Sequence, residues 1–203
     1  MPALMPAERR AVAVIQSGLR AAIRYDDESI VHTRWIRQRY ECGCYASLAP
    51  ARKAVVRTAW HEAGHAVAAF AVGARFTSAS IYHGHRNDGR VHGITAADGD
   101  QGFVIDAAGQ IAERLMSWTM LESDADLRGW LPTWTQDGGD ARRFRRSMAP
   151  RYGSDEVAAW RFSEDVLAPR RLQIRQLARA LLIYPRHLPY SVAAALVADH
   201  ELG

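Results

Sequence analysis

His61, Glu62 and His65 occur as His61-Glu62-Ala63-Gly64-His65, and helical spacing brings two imidazoles at i and i+4 one turn apart on one face. Neutral ring nitrogens so placed can both reach a single Zn²⁺ at ~2.0–2.1 Å, and a carboxylate directly after the first histidine can take a proton from water that the metal activates. His61 and His65 are therefore read as metal ligands and Glu62 as a general base, which is the chemistry of a hydrolase. Between Thr58 and Gly73 only Glu62 carries a formal charge, and alanine, valine, Trp60 and Phe70 make up most of the rest. Polar groups in so apolar a helix need partners, because burying them alone is costly. A metal ion is one such partner. Two core histidines bonded to backbone, with Glu62 in an ion pair, is the competing reading. Gly64 costs ~1 kcal/mol against alanine inside a helix, which reads equally as a neighbour packed against its backbone or as neutral drift.

A catalytic zinc takes three protein ligands, so one more must come from elsewhere in the chain. The candidates are His83, His85 and His92 just downstream, Glu113 in Ala108-Gly109-Gln110-Ile111-Ala112-Glu113-Arg114, and Asp137 or Asp140 in Asp137-Gly138-Gly139-Asp140-Ala141-Arg142-Arg143. Chemistry alone ranks Glu113 and Asp140 equally, since histidines near a turn are more often at the surface. For Asp137 and Asp140 the competing role is capping the helix that follows them.

Three blocks, in order, resemble the peptidase domain of the FtsH-type membrane AAA proteases: Thr58 to Val67, which is similar to that family's zinc helix, Ala108 to Arg114, and Asp137 to Arg143. Tyr152-Gly153 and the helical pattern from Arg171 to Leu182 also look like later elements of the family, so that the likeness spans about residues 52–200. The resemblance implies a zinc peptidase in which Asp140 is the third ligand, Glu62 the catalytic base and Glu113 a supporting carboxylate. It leaves a homo-oligomer open. Two departures stand out: Gly139 replaces an asparagine before the ligand aspartate, and the helix after Asp140 is expected to end at Pro150. The sequence also has no Gly-x-x-x-x-Gly-Lys-Ser/Thr phosphate loop and no stretch read as a membrane span, so ATP-driven unfolding is not carried over.

These residues must be positioned by a mainly α-helical single peptidase domain, expected at residues 51–203, with a small β-hairpin beside the zinc helix. Residues 1–50 are read as an N-terminal helical extension. Helices are expected over residues 7–24, 28–40, 50–73, 100–122, 140–149, 155–161, 164–184 and 189–199, and strands over Phe76–Tyr82 and Val91–Thr95, joined through the turn signals Gly84 and Asn87-Asp88-Gly89. Residues 129–139 read as a loop in which Trp130 and Trp134 are candidates to line a substrate pocket, ahead of Trp118 and Trp160; core packing is the commoner use of such rings.

The 203 residues carry a formal charge of +4, and Lys53 is the only lysine. The arginine clusters at Arg142, Arg143, Arg145 and Arg146 and at Arg170, Arg171 and Arg175 come without aromatic interleaving or a recognition motif, so nucleic acid is not expected as a partner. An acidic peptide is the more economical target for the first cluster. The start of the chain reads as an amphipathic helix without the apolar core of a secretory signal, and Cys42 and Cys44 as reduced thiols, which together give a cytoplasmic expectation. The functional expectation is a zinc-dependent, ATP-independent endopeptidase acting on unfolded or flexible segments. The alternatives are a non-catalytic or regulatory metal-binding module of the same fold and a peptidase dedicated to one regulatory protein.

Overall fold

The computed structural model describes residues 4–22, 48–81, 89–95, 101–117, 123–137, 139–185 and 187–198. The expected helix over 28–40, and Cys42, Cys44, His83, His85 and Trp118, lie outside these residues. The architecture is mainly helical with a small antiparallel sheet. Helix α1 (Pro6–Ala22) is followed by α2 (Leu48–Ala71), strands β1 (Ser78–Ser80) and β2 (Arg90–His92), and α3 (Gly102–Ser117). Next come α4 (Asp124–Trp130), a 3₁₀ turn (Leu131–Asp137), α5 (Gly139–Tyr152), α6 (Glu156–Leu167), a short 3₁₀ turn at Ala168–Arg170, α7 (Arg171–Ile183), β3 (Leu188–Pro189) and α8 (Tyr190–Ala198). Among the described residues no helix is long and apolar enough to cross a membrane.

Helix α2 is central because it is apolar on nearly every face: Val55, Val56, Ala59, Trp60, Ala63, Ala66, Val67, Ala68, Ala69 and Val72 are all buried. It packs along α3 and α7, while α3 also lies against α5 and α6. Small side chains set the spacing between α2 and α3. A β-carbon on Gly64 would lie 2.4 Å from the Ala108 carbonyl oxygen and 2.6 Å from the Ala112 β-carbon, so the glycine is a requirement of the packing. Past the end of α2, Gly73 takes a positive φ of 72° and turns the chain toward β1. Helix α1 packs on α7 and α8 and buries Ile15 in the common core.

β1 is the middle strand of the sheet, in the order β2-β1-β3, with Ala79 opposite both Val91 and Leu188. The hairpin was expected; β3 was not, since two residues carry no readable alternation. Three further expectations are corrected. The stretch read as a loop over 129–139 is largely helical, because Ser123 caps α4 by accepting the Asp126 N–H at 3.1 Å and the 3₁₀ spacing then buries Leu131 and Trp134 together. The interruption placed after residue 161 falls instead at Ala168-Pro169-Arg170. Ser163 stays inside α6 by donating its hydroxyl to the Ala159 carbonyl at 2.9 Å. Helix α5 also runs through Pro150 to Tyr152, since a proline in the last turn removes a single N–H, and it ends only where Gly153 adopts φ 60°.

Gly64→Ala should destabilise the fold by about 1–3 kcal/mol through overpacking against Ala108, in contrast to the gain that alanine gives in an open helix. Thermal denaturation of the metal-free protein measures it, and an unchanged or raised Tm would refute the close approach of α2 and α3.

Candidate metal centre

The chain brings His61, His65 and Asp140 together, with one ligand atom from each lying within 4.8 Å of the others; this group could hold a metal ion. His61 and His65 project from α2, their ring centroids 4.7 Å apart. Asp140 enters from the first turn of α5, where the helix N-terminus favours a negative charge. Its Oδ2 lies 3.1 Å from His61 Nε2 and 3.5 Å from His65 Nε2. Two ligand atoms held at ~2.0–2.1 Å in a tetrahedral arrangement are separated by about 3.3 Å, so these spacings suit a shared cation.

The outer ring nitrogens explain why Nε2 is the inward atom in both cases. His65 Nδ1–H donates to the Ile105 carbonyl at 2.6 Å, and His61 Nδ1–H donates to Glu113 Oε1 at 2.8 Å. Fixing the proton on Nδ1 leaves each Nε2 lone pair free for a metal, and a carboxylate or carbonyl behind a ligating imidazole is the usual support. The α3 side is shaped to receive these rings: a β-carbon on Gly109 would lie 2.4 Å from His61 Nε2. Of the two carboxylates left open, it is Asp140 that joins the group able to hold a metal ion. Asp140 faces the shared point and Glu113 stands behind His61, with Arg57 on its second oxygen at 3.6 Å. His92 instead contacts Ser80 Oγ at 3.4 Å on the sheet, and Asp137 ends the 3₁₀ turn.

Electrostatics point the same way. An Nε2 lone pair 3.1 Å from a carboxylate oxygen needs a proton or a cation between them. Without metal a proton fills the gap: burial pushes the His61 pKa down, but Asp140 and Glu113 outweigh it and hold it up at about 10. Burial pushes Asp140 up, and its bonds to His61 and His65 outweigh that and keep it below the usual carboxylate range. Glu62 is raised, chiefly by burial.

Glu62 faces β2, where the Val91 N–H donates to its carboxylate and Gly89 leaves room for it: a β-carbon there would lie 2.4 Å from Glu62 Cγ. The group opens into a cleft of about 570 Å³ whose walls include Gly89, Arg90, Val91, Ile94 and Ile105, a size suited to a small part of an extended ligand. Trp130 and Trp134 do not line it. Trp134 is buried, stacked on Trp130 at 5.9 Å and edge-on to Trp160 at 5.2 Å, and Arg114 lies over Trp130 at 4.0 Å. Nor does the first arginine cluster face the cleft as a unit. Arg145 pairs with Glu156 at 2.9 Å, and Arg143 alone reaches the cleft, where it bonds to Asp140 and Asp106. Asp106 and Ser147 were not anticipated, since neither stands in a recognisable pattern. Compared with known protein families, with curated proteins and with solved structures, the chain matches none.

Two outcomes follow. Asp140→Ala should abolish stoichiometric metal uptake, whereas Glu113→Ala should weaken it by about 10–100-fold, and metal analysis of the purified proteins separates them. A loss confined to the Glu113 variant would reverse the assignment. Because the ion must displace the His61 proton, apparent zinc affinity should rise with pH, by about tenfold per unit between roughly pH 6 and pH 8, with about one proton released per ion. Calorimetry in buffers of different ionisation enthalpy would count that proton, and a pH-independent affinity would rule it out.

Proposed function

We propose that this protein is a zinc-dependent, ATP-independent endopeptidase acting on unfolded or flexible protein segments. The observation that carries the reading is the convergence of His61, His65 and Asp140 beside Glu62 in an open cleft. Two nitrogens and one carboxylate oxygen form a donor set suited to zinc. Held there, zinc would supply Lewis acidity, making water acidic enough to lose a proton near neutral pH and stabilising charge on the scissile carbonyl oxygen. Glu62 takes the proton of the attacking water and returns it to the leaving amine. Its burial raises its proton affinity and so makes it a stronger base.

Strand β2 is one of the two outer strands of the sheet and forms one wall of the cleft. His92 offers its carbonyl to the Thr77 N–H, just ahead of β1, so alternation turns the polar backbone groups of Val91 the other way, toward Glu62. An extended peptide laid along that edge would run past the general base, and the apolar Val91, Ile94 and Ile105 would receive one of its side chains. A folded domain cannot present an extended strand in this way, which confines the substrate to flexible segments. The resemblance of the three sequence blocks to the FtsH-type peptidase domain supports the same chemistry.

Glu62→Gln should retain zinc and lose about 10²–10⁴-fold in turnover of casein or unstructured peptides. Equal turnover by the variant would place the activity at another site. Zinc-loaded wild-type protein that cleaves no peptide would leave the metal in a non-catalytic, regulatory role, and cleavage confined to a single native protein would mark a dedicated processing enzyme.

A further inference from the structure

Asp140 has two carboxylate oxygens, and only Oδ2 is near the histidines. Its Oδ1 accepts from the guanidinium of Arg143, one turn along α5. The same guanidinium donates through Nε to Asp106 Oδ1 on α3 at 3.2 Å, and Asp106 Oδ2 accepts from the Ser147 hydroxyl at 2.6 Å. Ser147 follows Arg143 by one further turn, so the chain Ser147–Asp106–Arg143–Asp140 begins and ends on α5 and is anchored to α3 at its middle. Asp106 and Asp140 are both largely buried, although Arg143 itself is half-exposed.

Gly139 makes this arrangement fit. A β-carbon there would lie 2.7 Å from Arg143 Nη1, so the missing side chain leaves the space in which the guanidinium lies. The departure from the resembled family at this position, glycine in place of asparagine, thereby gains a physical account.

We propose that Arg143 is a positioning residue that holds Asp140 as a one-oxygen ligand, with Asp106 and Ser147 as its anchors. A carboxylate free to rotate could offer both oxygens to the ion and fill the position that water must occupy. Arg143 prevents this by engaging Oδ1, and its tie to Asp106 stops the pair from swinging together. The role rests on the metal reading above but concerns a different residue and a different observable.

The test uses the full chain and three substitutions: Arg143→Met, which keeps the stem and removes the guanidinium, Arg143→Lys, and Gly139→Ala. The readouts are Zn²⁺ affinity against a chromophoric chelator, the visible absorption of the Co²⁺-loaded protein, and the Tm of the metal-free protein. Arg143→Met should weaken Zn²⁺ binding by about 10–100-fold and reduce the Co²⁺ visible band, as a second carboxylate oxygen raises the coordination number. Lysine keeps the charge but lacks the fork needed to bridge two carboxylates, so Arg143→Lys should recover affinity only in part. Gly139→Ala should move both readouts in the same direction by a smaller amount, and it keeps the proposal testable if Arg143→Met does not fold. Wild-type affinity and an unchanged Co²⁺ band in Arg143→Met, whatever its Tm, would overturn the positioning role. Wild-type protein that takes up neither Zn²⁺ nor Co²⁺ would overturn the metal reading and this inference with it.

Discussion

Where Gly64 faces Ala108, helices α2 and α3 come so close that a single added methyl group would meet a backbone oxygen at 2.4 Å. That approach is what lets α3 serve as the support for residues on α2. The Ile105 carbonyl can reach His65 at 2.6 Å and Glu113 can reach His61 at 2.8 Å only if no larger side chain separates the two helices. With the outer nitrogens so fixed, neither imidazole can rotate away without breaking a buried hydrogen bond. The placement of the two imidazoles is therefore a consequence of helix packing and needs no ion to create it. Preformed sites of this kind bind with less ordering cost than sites assembled on binding.

The same packing creates an electrostatic problem. Glu62, Asp106, Glu113 and Asp140 lie within one small region, and every carboxylate removed from water needs a compensating charge or donor. The chain supplies one for each: Arg57 and His61 for Glu113, Arg143 and Ser147 for Asp106, Arg143 and the histidines for Asp140, and the Val91 N–H for Glu62. Glu62 is the least compensated, since its direct partner is a neutral amide, and burial consequently raises its proton affinity. Asp140 is the most compensated and is driven the opposite way. Two carboxylates in one cleft are thus pushed apart in proton affinity, one toward accepting a proton and the other toward remaining an anion that holds a cation.

His61, Glu62 and His65 were legible because their spacing and the helical period together specify a face, and the apolar run around them specifies burial. Gly64 was half legible: a glycine inside a helix reads as close packing or as neutral drift, and the approach of α3 selects the first. The third candidate ligand was not legible from local chemistry, which ranked Glu113 and Asp140 equally, and the family resemblance alone singled out Asp140; the two differ in where α3 and α5 arrive, which the tertiary arrangement decides. Ile105 contributes through its carbonyl, which any residue would supply, so no side-chain reading could have found it. Trp130 and Trp134 misled in the opposite sense. A Pro132-containing stretch between glycines reads as a loop, yet the rings at 130, 134 and 160 stack into a core that holds the 3₁₀ turn in place ahead of α5. The position of Asp140 thus depends on aromatic packing remote from the cleft.

Four glycines make room for the site. Gly64 admits α3, Gly109 admits the His61 ring, Gly89 admits Glu62, and Gly139 admits the Arg143 guanidinium. Gly64 and Gly109 are not explained by backbone conformation, because the positive φ values among the described residues belong to Gly73, Gly93 and Gly153. Gly64 and Gly109 lie in helix interiors, where each costs ~1 kcal/mol relative to alanine, so together they sacrifice about 2 kcal/mol of helix stability, whereas Gly139 opens α5 and carries no such interior cost. A fold selected only to be stable would hold alanine at these places and allow the helices to move apart slightly. Glycine at both interior positions is coherent if the atoms occupying the vacated volume must lie where they do: an imidazole against α3 and a backbone against α2. Local stability is exchanged for the placement of charged and polar groups, which is expected where geometry serves a functional cleft rather than the core alone.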